Sequence, residues 1–136
     1  MNLRIRAEEC LAKLKRGGII EEKYTKYLSP AFFIKKSNGD LSLVIGYRPL
    51  NRVAKPKHFP TPKINEQLFV LRGSKHFSQT GLKAGYYQVG MEAGIKLKTG
   101  FILMNRIYVF KRMPFGSSNA PFTFQEAMIQ ILGQLE

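Results

Sequence analysis

The chain has 136 residues, the size of one domain, and its 44% hydrophobic and 12% aromatic content excludes a disordered tail. Its 22 Lys+Arg against 9 Asp+Glu give a formal net charge of +13, which favours a polyanionic partner, nucleic acid before an anionic membrane surface. A lone cysteine, Cys10, excludes an internal disulfide and a cysteine-based zinc site, and no apolar run is long enough to span a membrane.

Leu3, Ala7, Cys10, Leu11 and Leu14 recur at helical spacing, with Lys13, Lys15 and Arg16 at the end where cations suit the helix dipole. Gly17 and Gly18 stop the pattern, so residues 3–16 are expected to form a short amphipathic helix with Cys10 as a small buried side chain. The opening MNLRIRAEEC lacks the apolar core of a secretory signal; a reducing intracellular compartment (cytosol, nucleus or organelle matrix) is expected, without secretion. Ala31–Ile34 and Leu41–Ile45 flank Ser37-Asn38-Gly39-Asp40, a hairpin signal. Pro49, Pro56, Pro60 and Pro62 make 46–62 irregular. Residues 63–72 read as a helix with Ile64, Leu68 and Leu71 on one face, and Gly73 stops it. Phe77–Leu82 and Tyr86–Met91 read as short strands. A second hairpin pairs Phe101–Met104 with Ile107–Phe110 around Asn105-Arg106, and Met113–Gly116 is a tight non-helical segment. A final helix starts after Asn119 and runs through Leu132 to the end of the sequence. Helices mixed with antiparallel hairpins indicate an α+β arrangement.

Several pieces of this chain, in order, resemble the reverse transcriptases of gypsy-type long-terminal-repeat retrotransposons. They are Leu28-Ser29-Pro30 with Lys35-Lys36 and Asn38-Gly39; Tyr47-Arg48-Pro49-Leu50-Asn51; Phe59-Pro60-Thr61-Pro62-Lys63-Ile64; Phe77 through Val89; Lys98-Thr99-Gly100-Phe101; and Met113 through Pro121 with Phe124-Gln125. The resemblance covers about Ile19 to Leu132. It implies a partial right-hand polymerase fold, fingers plus the front half of the palm, with an incomplete palm sheet. The implied organisation is an N-terminal helix and stop over 1–18, a fingers-like region over 19–72, and a palm-like region over 73–136 ending in the palm helix.

The family's chemistry is phosphoryl transfer with two divalent metals, which require carboxylate oxygens. By the resemblance, the first metal-ligand Asp maps to Gly81, which has no side chain. The other two ligands belong to a later Tyr-x-Asp-Asp turn, and no Asp-Asp pair occurs in these 136 residues. The chain's only aspartate, Asp40, maps to the fingers turn and is expected to be solvated. Gly46 replaces the Asp beside Arg48, Ser42 replaces an Arg that contacts the nucleotide triphosphate, and Gly100 replaces an Ala, a change expected to loosen the strand slightly. The magnesium site is therefore expected to be lost, with no catalytic residue, no cofactor and no polymerase activity from this polypeptide.

The resemblance keeps a set of binding residues. Lys35 and Lys36 stand where the family approaches phosphates. Arg48 belongs to the same region, Tyr86 matches the aromatic beneath the incoming sugar, and Phe115 with Gly116 match the segment beside nucleotide and template. His58 and His76 have no partners at ligand spacing and are expected in loops or on the surface. The expected function is a non-catalytic module that binds RNA or an RNA–DNA duplex, alone or in a larger ribonucleoprotein. An incomplete palm sheet also leads us to expect a large partner or second chain that covers it. Three alternatives stand beside this: a protein-interaction module acting through that sheet, a piece of an RNA-directed DNA polymerase needing a missing C-terminal part, and a decayed reading frame.

Overall fold

Asn2 opens the first helix, α1 (Leu3–Arg16): its side chain accepts the Arg4 N–H at 3.1 Å, satisfying one of the donors a helix start leaves free. Lys13, Lys15 and Arg16 fill the last turn, and Gly18 at φ +69° turns the chain away. Ala7 and Leu11 are buried and Cys10 half-buried, while Leu3, at the start of the expected stripe, stays exposed. These observations come from a computed structural model that describes residues 2–133. Positions 134–136, into which the last helix was expected to run, lie outside the described residues.

Five strands form one sheet in the order β1-β5-β4-β2-β3. β2 (Ser29–Lys35) and β3 (Leu41–Ile45) make the expected hairpin, closed by Gly39 at φ +88° and by the Lys36 N–H donating to the Asp40 carbonyl at 2.7 Å. Asp40 is solvent-exposed, hydrogen-bonded only to Asn38 through its side chain. β4 (Phe101–Leu103) and β5 (Arg106–Phe110) make the second hairpin. Its turn sits one residue earlier than expected, at Met104 (φ +50°) and Asn105 (φ +60°), the two left-handed positions that a two-residue hairpin demands. β1 (Ile20–Glu22), which no local pattern announces, pairs antiparallel with β5, Ile20 opposite Phe110. β2 joins β4 in parallel through Ser29↔Phe101 and Pro30↔Ile102. The core forms where these strands cross α1: Leu11, Ile20, Ile45, Tyr47, Phe101, Tyr108 and Phe110.

Four expectations are corrected. Residues 46–62 are not wholly irregular, because α2 (Arg48–Val53) forms with Pro49 in its first turn, where a missing N–H costs nothing. Phe77–Leu82 and Tyr86–Met91 are not strands. Residues 75–82 carry no ladder, Ala84 turns left-handed at φ +47°, and Gly85–Gln88 forms a single 3-10 turn; one bridge, Gly90↔Arg112, is all the pairing present. Alternating apolar residues make a strand only against a neighbour, and no described strand lies there. A short helix, α4 (Ala93–Lys98), appears where none was expected. Finally, Gly100 does not loosen anything: it is buried, its carbonyl accepts the Ser29 N–H at 2.9 Å, and a Cβ built on it would run into the Thr25 methyl group and the Tyr27 carbonyl oxygen.

The expected helix over 63–72 is present as α3 (Ile64–Val70), with the Glu66 carboxylate accepting the Lys63 N–H at 3.4 Å. Its apolar side chains are not covered. Ile64, Leu68, Phe69, Val70 and Leu71, with Phe77 and Leu82 beyond, are all exposed. α5 (Ala120–Leu132) starts at Asn119 as expected, with Pro121 in its first turn and Ala120 buried.

Candidate functional site

A groove of about 560 Å³ opens between the β2–β3 hairpin and the turn that precedes α5. β3 supplies one wall through Ser42 and Leu43, and Lys36 stands at its rim. The opposite wall is Lys83, Tyr87, Phe115 and Gly116. Two lysines and no carboxylate line it among the described residues, so the groove is cationic over an apolar floor that includes Ile45 and Phe110. Such a surface suits a flat apolar group carrying phosphate.

Local structure explains how the walls are held. The left-handed Ala84 swings the chain into the 3-10 turn, and the Gln88 amide donates to the Lys83 carbonyl at 2.8 Å. Arg112 clamps the far end of that turn: Nε donates to the Tyr87 carbonyl at 2.9 Å and Nη2 to the Gln88 carbonyl at 2.7 Å. Phe115 is wedged between Tyr86, stacked at 4.8 Å, and Tyr87, edge-on at 5.1 Å. Tyr86 also leans on Phe124 of α5 at 5.3 Å. Asn51 fixes the segment that carries Gly116, donating to the Gly116 carbonyl and accepting the Ser118 N–H, both at 2.9 Å. Asn119 does the same for the loop after α2, bonding the Lys55 carbonyl and the Lys57 N–H at 2.9 Å each. Lys57 and Glu126 pair across the same junction.

Of the six expected binding residues, Lys36, Phe115 and Gly116 line the groove. Tyr86 supports it from behind by stacking on Phe115, and the neighbouring Tyr87 faces the groove instead. Lys35 ends β2 opposite Leu41, exposed and outside the lining; Arg48 is exposed at the first position of α2, also outside it. Lys83, Tyr87, Asn51, Asn119 and Arg112 were missed as functional or supporting residues. All but Arg112 lie within segments that resemble the family, but Tyr87 enters the groove through a 3-10 turn where a strand was expected, and Lys83 lies in the break just before it. His58 is exposed and meets Phe122 edge-on at 6.1 Å, as a surface histidine should.

Gly81 lies in the exposed, irregular stretch before the turn, and a Cβ there would touch nothing within 4 Å. The position has space for a larger residue. Among the described residues, no three His, Cys, Asp or Glu side chains come together as metal ligands. At Gly46 a Cβ would come 3.1 Å from Pro30 Cγ, and an acid there would need that ring to give slightly.

Beneath the groove, Tyr47 is 2% exposed and donates its hydroxyl to the Thr99 carbonyl at 2.8 Å, while the Thr99 hydroxyl accepts the Phe110 N–H at 2.9 Å. Burial pushes the Tyr47 phenol well above its ordinary value of 10.0. Above pH 10 the unfolded chain releases this proton and the folded chain keeps it, so stability falls as pH rises, by about 1.4 kcal/mol per pH unit from this group. Tyr47→Phe should flatten that alkaline slope while lowering neutral-pH stability by about 1–3 kcal/mol, because the Thr99 carbonyl loses its donor. Urea titrations at neutral and alkaline pH check both parts.

Residues 34–136 match the family described as "Reverse transcriptase (RNA-dependent DNA polymerase)". The genome polyprotein of Petunia vein clearing virus (isolate Shepherd) is 36% identical over 134 residues, covering 96% of this chain and 6% of that protein. The transposon Tf2-3 polyprotein of Schizosaccharomyces pombe is 34% identical over 119 residues, covering 88% of the chain and 9% of that protein. The chain thus spans under a tenth of these relatives' length. Among solved structures, the prototype foamy virus protease–reverse transcriptase superposes with a TM-score of 0.78 at 17% identity, covering 98% of the chain and 18% of that protein. The foamy viral enzyme in complex with dsDNA superposes with a TM-score of 0.79 at 17% identity (98% of the chain, 28% of that protein), and in complex with an RNA/DNA hybrid at 0.69 and 17% (98% and 18%).

Proposed function

This chain belongs to the reverse transcriptase family and has the fold of part of that polymerase, and from there we propose that it is a nucleic-acid-binding module, of gypsy-type retrotransposon origin, that does not itself carry out nucleotidyl transfer. The observation that carries the first half is the cationic groove between Lys36 and Lys83 with its Tyr87 and Phe115 wall. Polyanion attraction follows from the net charge of +13. Foamy viral relatives of the same fold are known with dsDNA and with an RNA/DNA hybrid. Gly81 supports the second half, since a glycine cannot ligate the metal that activates the primer oxygen. That deficit is independent of what adjoins this segment in a longer protein.

Binding should be backbone-directed, tolerant of sequence and steeply salt-dependent. If three phosphates are neutralised, affinity for RNA or an RNA–DNA hybrid should fall about 40-fold between 50 and 200 mM salt. Labelled RNA titrated across that salt range, with primer and nucleotides in the same tubes, checks both halves. Flat salt dependence or no binding at low salt overturns the binding role; magnesium-dependent extension overturns the loss of catalysis.

A second reading rests on the exposed apolar run from Ile64 through Leu82. A surface of that kind fits a covering protein chain, either the rest of a polymerase or a separate partner. Monomeric behaviour of the isolated chain at high concentration, with no binding of an apolar dye, counts against it.

A further inference from the structure

Outside the groove, the loop that links β1 to β2 reads Lys23-Tyr24-Thr25-Lys26-Tyr27, cation and aromatic interleaved. We propose that this loop, together with Lys98, is a second binding site, one that takes single-stranded nucleic acid by base stacking. None of its residues lines the groove, and the inference does not depend on the groove binding anything.

The tyrosines are held outward by their neighbour. Thr25 is buried; its hydroxyl donates to the Leu97 carbonyl at 2.7 Å and accepts the Tyr27 N–H at 3.2 Å. The loop is also pinned at its start, where the Lys23 N–H donates to the Ile107 carbonyl at 3.2 Å, and at its end by the Ser29 N–H on Gly100. A buried anchor between two exposed rings leaves Tyr24 79% exposed and Tyr27 41% exposed. Large apolar rings facing water on a fixed loop lose little conformational freedom on binding, which makes them good stacking platforms.

Charge completes the site. Lys26 Nζ lies over the Tyr27 ring, 5.3 Å from its centre, so a base stacking on that face would displace the cation towards its own phosphate. The Thr25–Leu97 bond sets the loop against the C-terminal end of α4, where Lys98 is exposed. The nearest acid in sequence, Glu22, is engaged by Lys15 at 3.7 Å and Arg106 at 3.8 Å. Alternating lysine and exposed tyrosine is the pattern by which single strands are bound without sequence preference, bases on rings and phosphates on cations. An anionic membrane would be drawn to the lysines as well, but it offers no flat partner for two rings held apart by a buried threonine.

Photo-crosslinking of the full chain to a thiouridine-containing oligouridylate tests this. Adducts are expected at Tyr24 and Tyr27. Tyr24→Ala should weaken single-strand affinity about tenfold, and Tyr24→Phe, which keeps the ring, should restore it. A Lys36→Ala/Lys83→Ala variant separates the two sites: the loop adducts should persist whatever becomes of duplex binding. Adducts confined to the groove overturn the proposal, as does a Tyr24→Ala variant of unchanged affinity. Equal binding to phosphatidylserine vesicles, lost in the same Tyr24→Ala variant, would assign the loop to membranes and overturn it too.

Discussion

Gly100→Ala should destabilise the fold by about 3 kcal/mol or more, beyond the usual range for one added methyl in a core, because the obstruction includes backbone. The added Cβ would meet the Tyr27 carbonyl oxygen, which is backbone, and the methyl group of the buried Thr25. Thr25 is tied to Leu97, and the next residue pair, Ser29 to Gly100, is where β2 joins β4. Relieving the clash therefore means parting the β2–β4 pairing, the one strand contact among the described residues that joins the β2–β3 hairpin to the rest of the sheet. Thermal melts should show a drop on the order of 10 °C. Gly94→Ala serves as the control: it sits in α4 with nothing within 4 Å of the new Cβ. That change should leave the melting point unchanged or raise it slightly. Equal behaviour of the two variants would remove the close-packing account of Gly100.

The largest effect on activity should come at Gly81. Grafted into an active reverse transcriptase in place of its matching segment, this chain should cut primer extension by more than about 100-fold, the range seen when merely the outer support of a metal ligand is lost. Gly81→Asp in the same graft should recover much of that loss. The open space around Gly81 predicts that the substitution is tolerated, and its φ is not in the left-handed region. Stability should change by less than about 0.5 kcal/mol, as for an ordinary surface site. A graft that extends primers as well as its parent with glycine in place would show that this position carries no metal in this lineage. Failure of Gly81→Asp to recover activity would instead point to the other departures, Gly46 and Ser42.

The elements readable from sequence were those whose signals are local. The apolar stripe from Leu3 to Leu14 and the Gly17-Gly18 stop mark α1, Asn38-Gly39 marks the first hairpin, and Asn119 precedes α5. β1 was invisible because three residues, Ile20-Glu21-Glu22, are a strand only by virtue of β5, far along the chain. Tyr86–Met91 was misread for the opposite reason: Tyr87, Val89 and Met91 alternate as in a strand, but the partner is not among the described strands. The groove was half legible. Lys36, Phe115 and Gly116 came from family resemblance and lie together, whereas Lys83 and Tyr87 enter it only because Ala84 adopts a left-handed turn. No periodicity encodes that turn. Arg48 and Lys35, expected from the same resemblance, lie exposed outside that lining.

The strand order has a consequence for biosynthesis. Among the described residues, β1 has no strand neighbour other than β5, and the β2–β3 hairpin meets the rest of the sheet only through β4. Residues 20–22 therefore leave the ribosome with no strand to pair with until residues 106–110 have been made. At roughly 5–20 residues per second, that wait is on the order of ten seconds. During it, Ile20 and the β2–β3 hairpin lack their β5 and β4 partners, and only α1, the hairpin and the short local helices can form. Translation speed across residues 23–105, and any chaperone that occupies the nascent chain over that interval, should decide the yield of folded protein more than the final stability does.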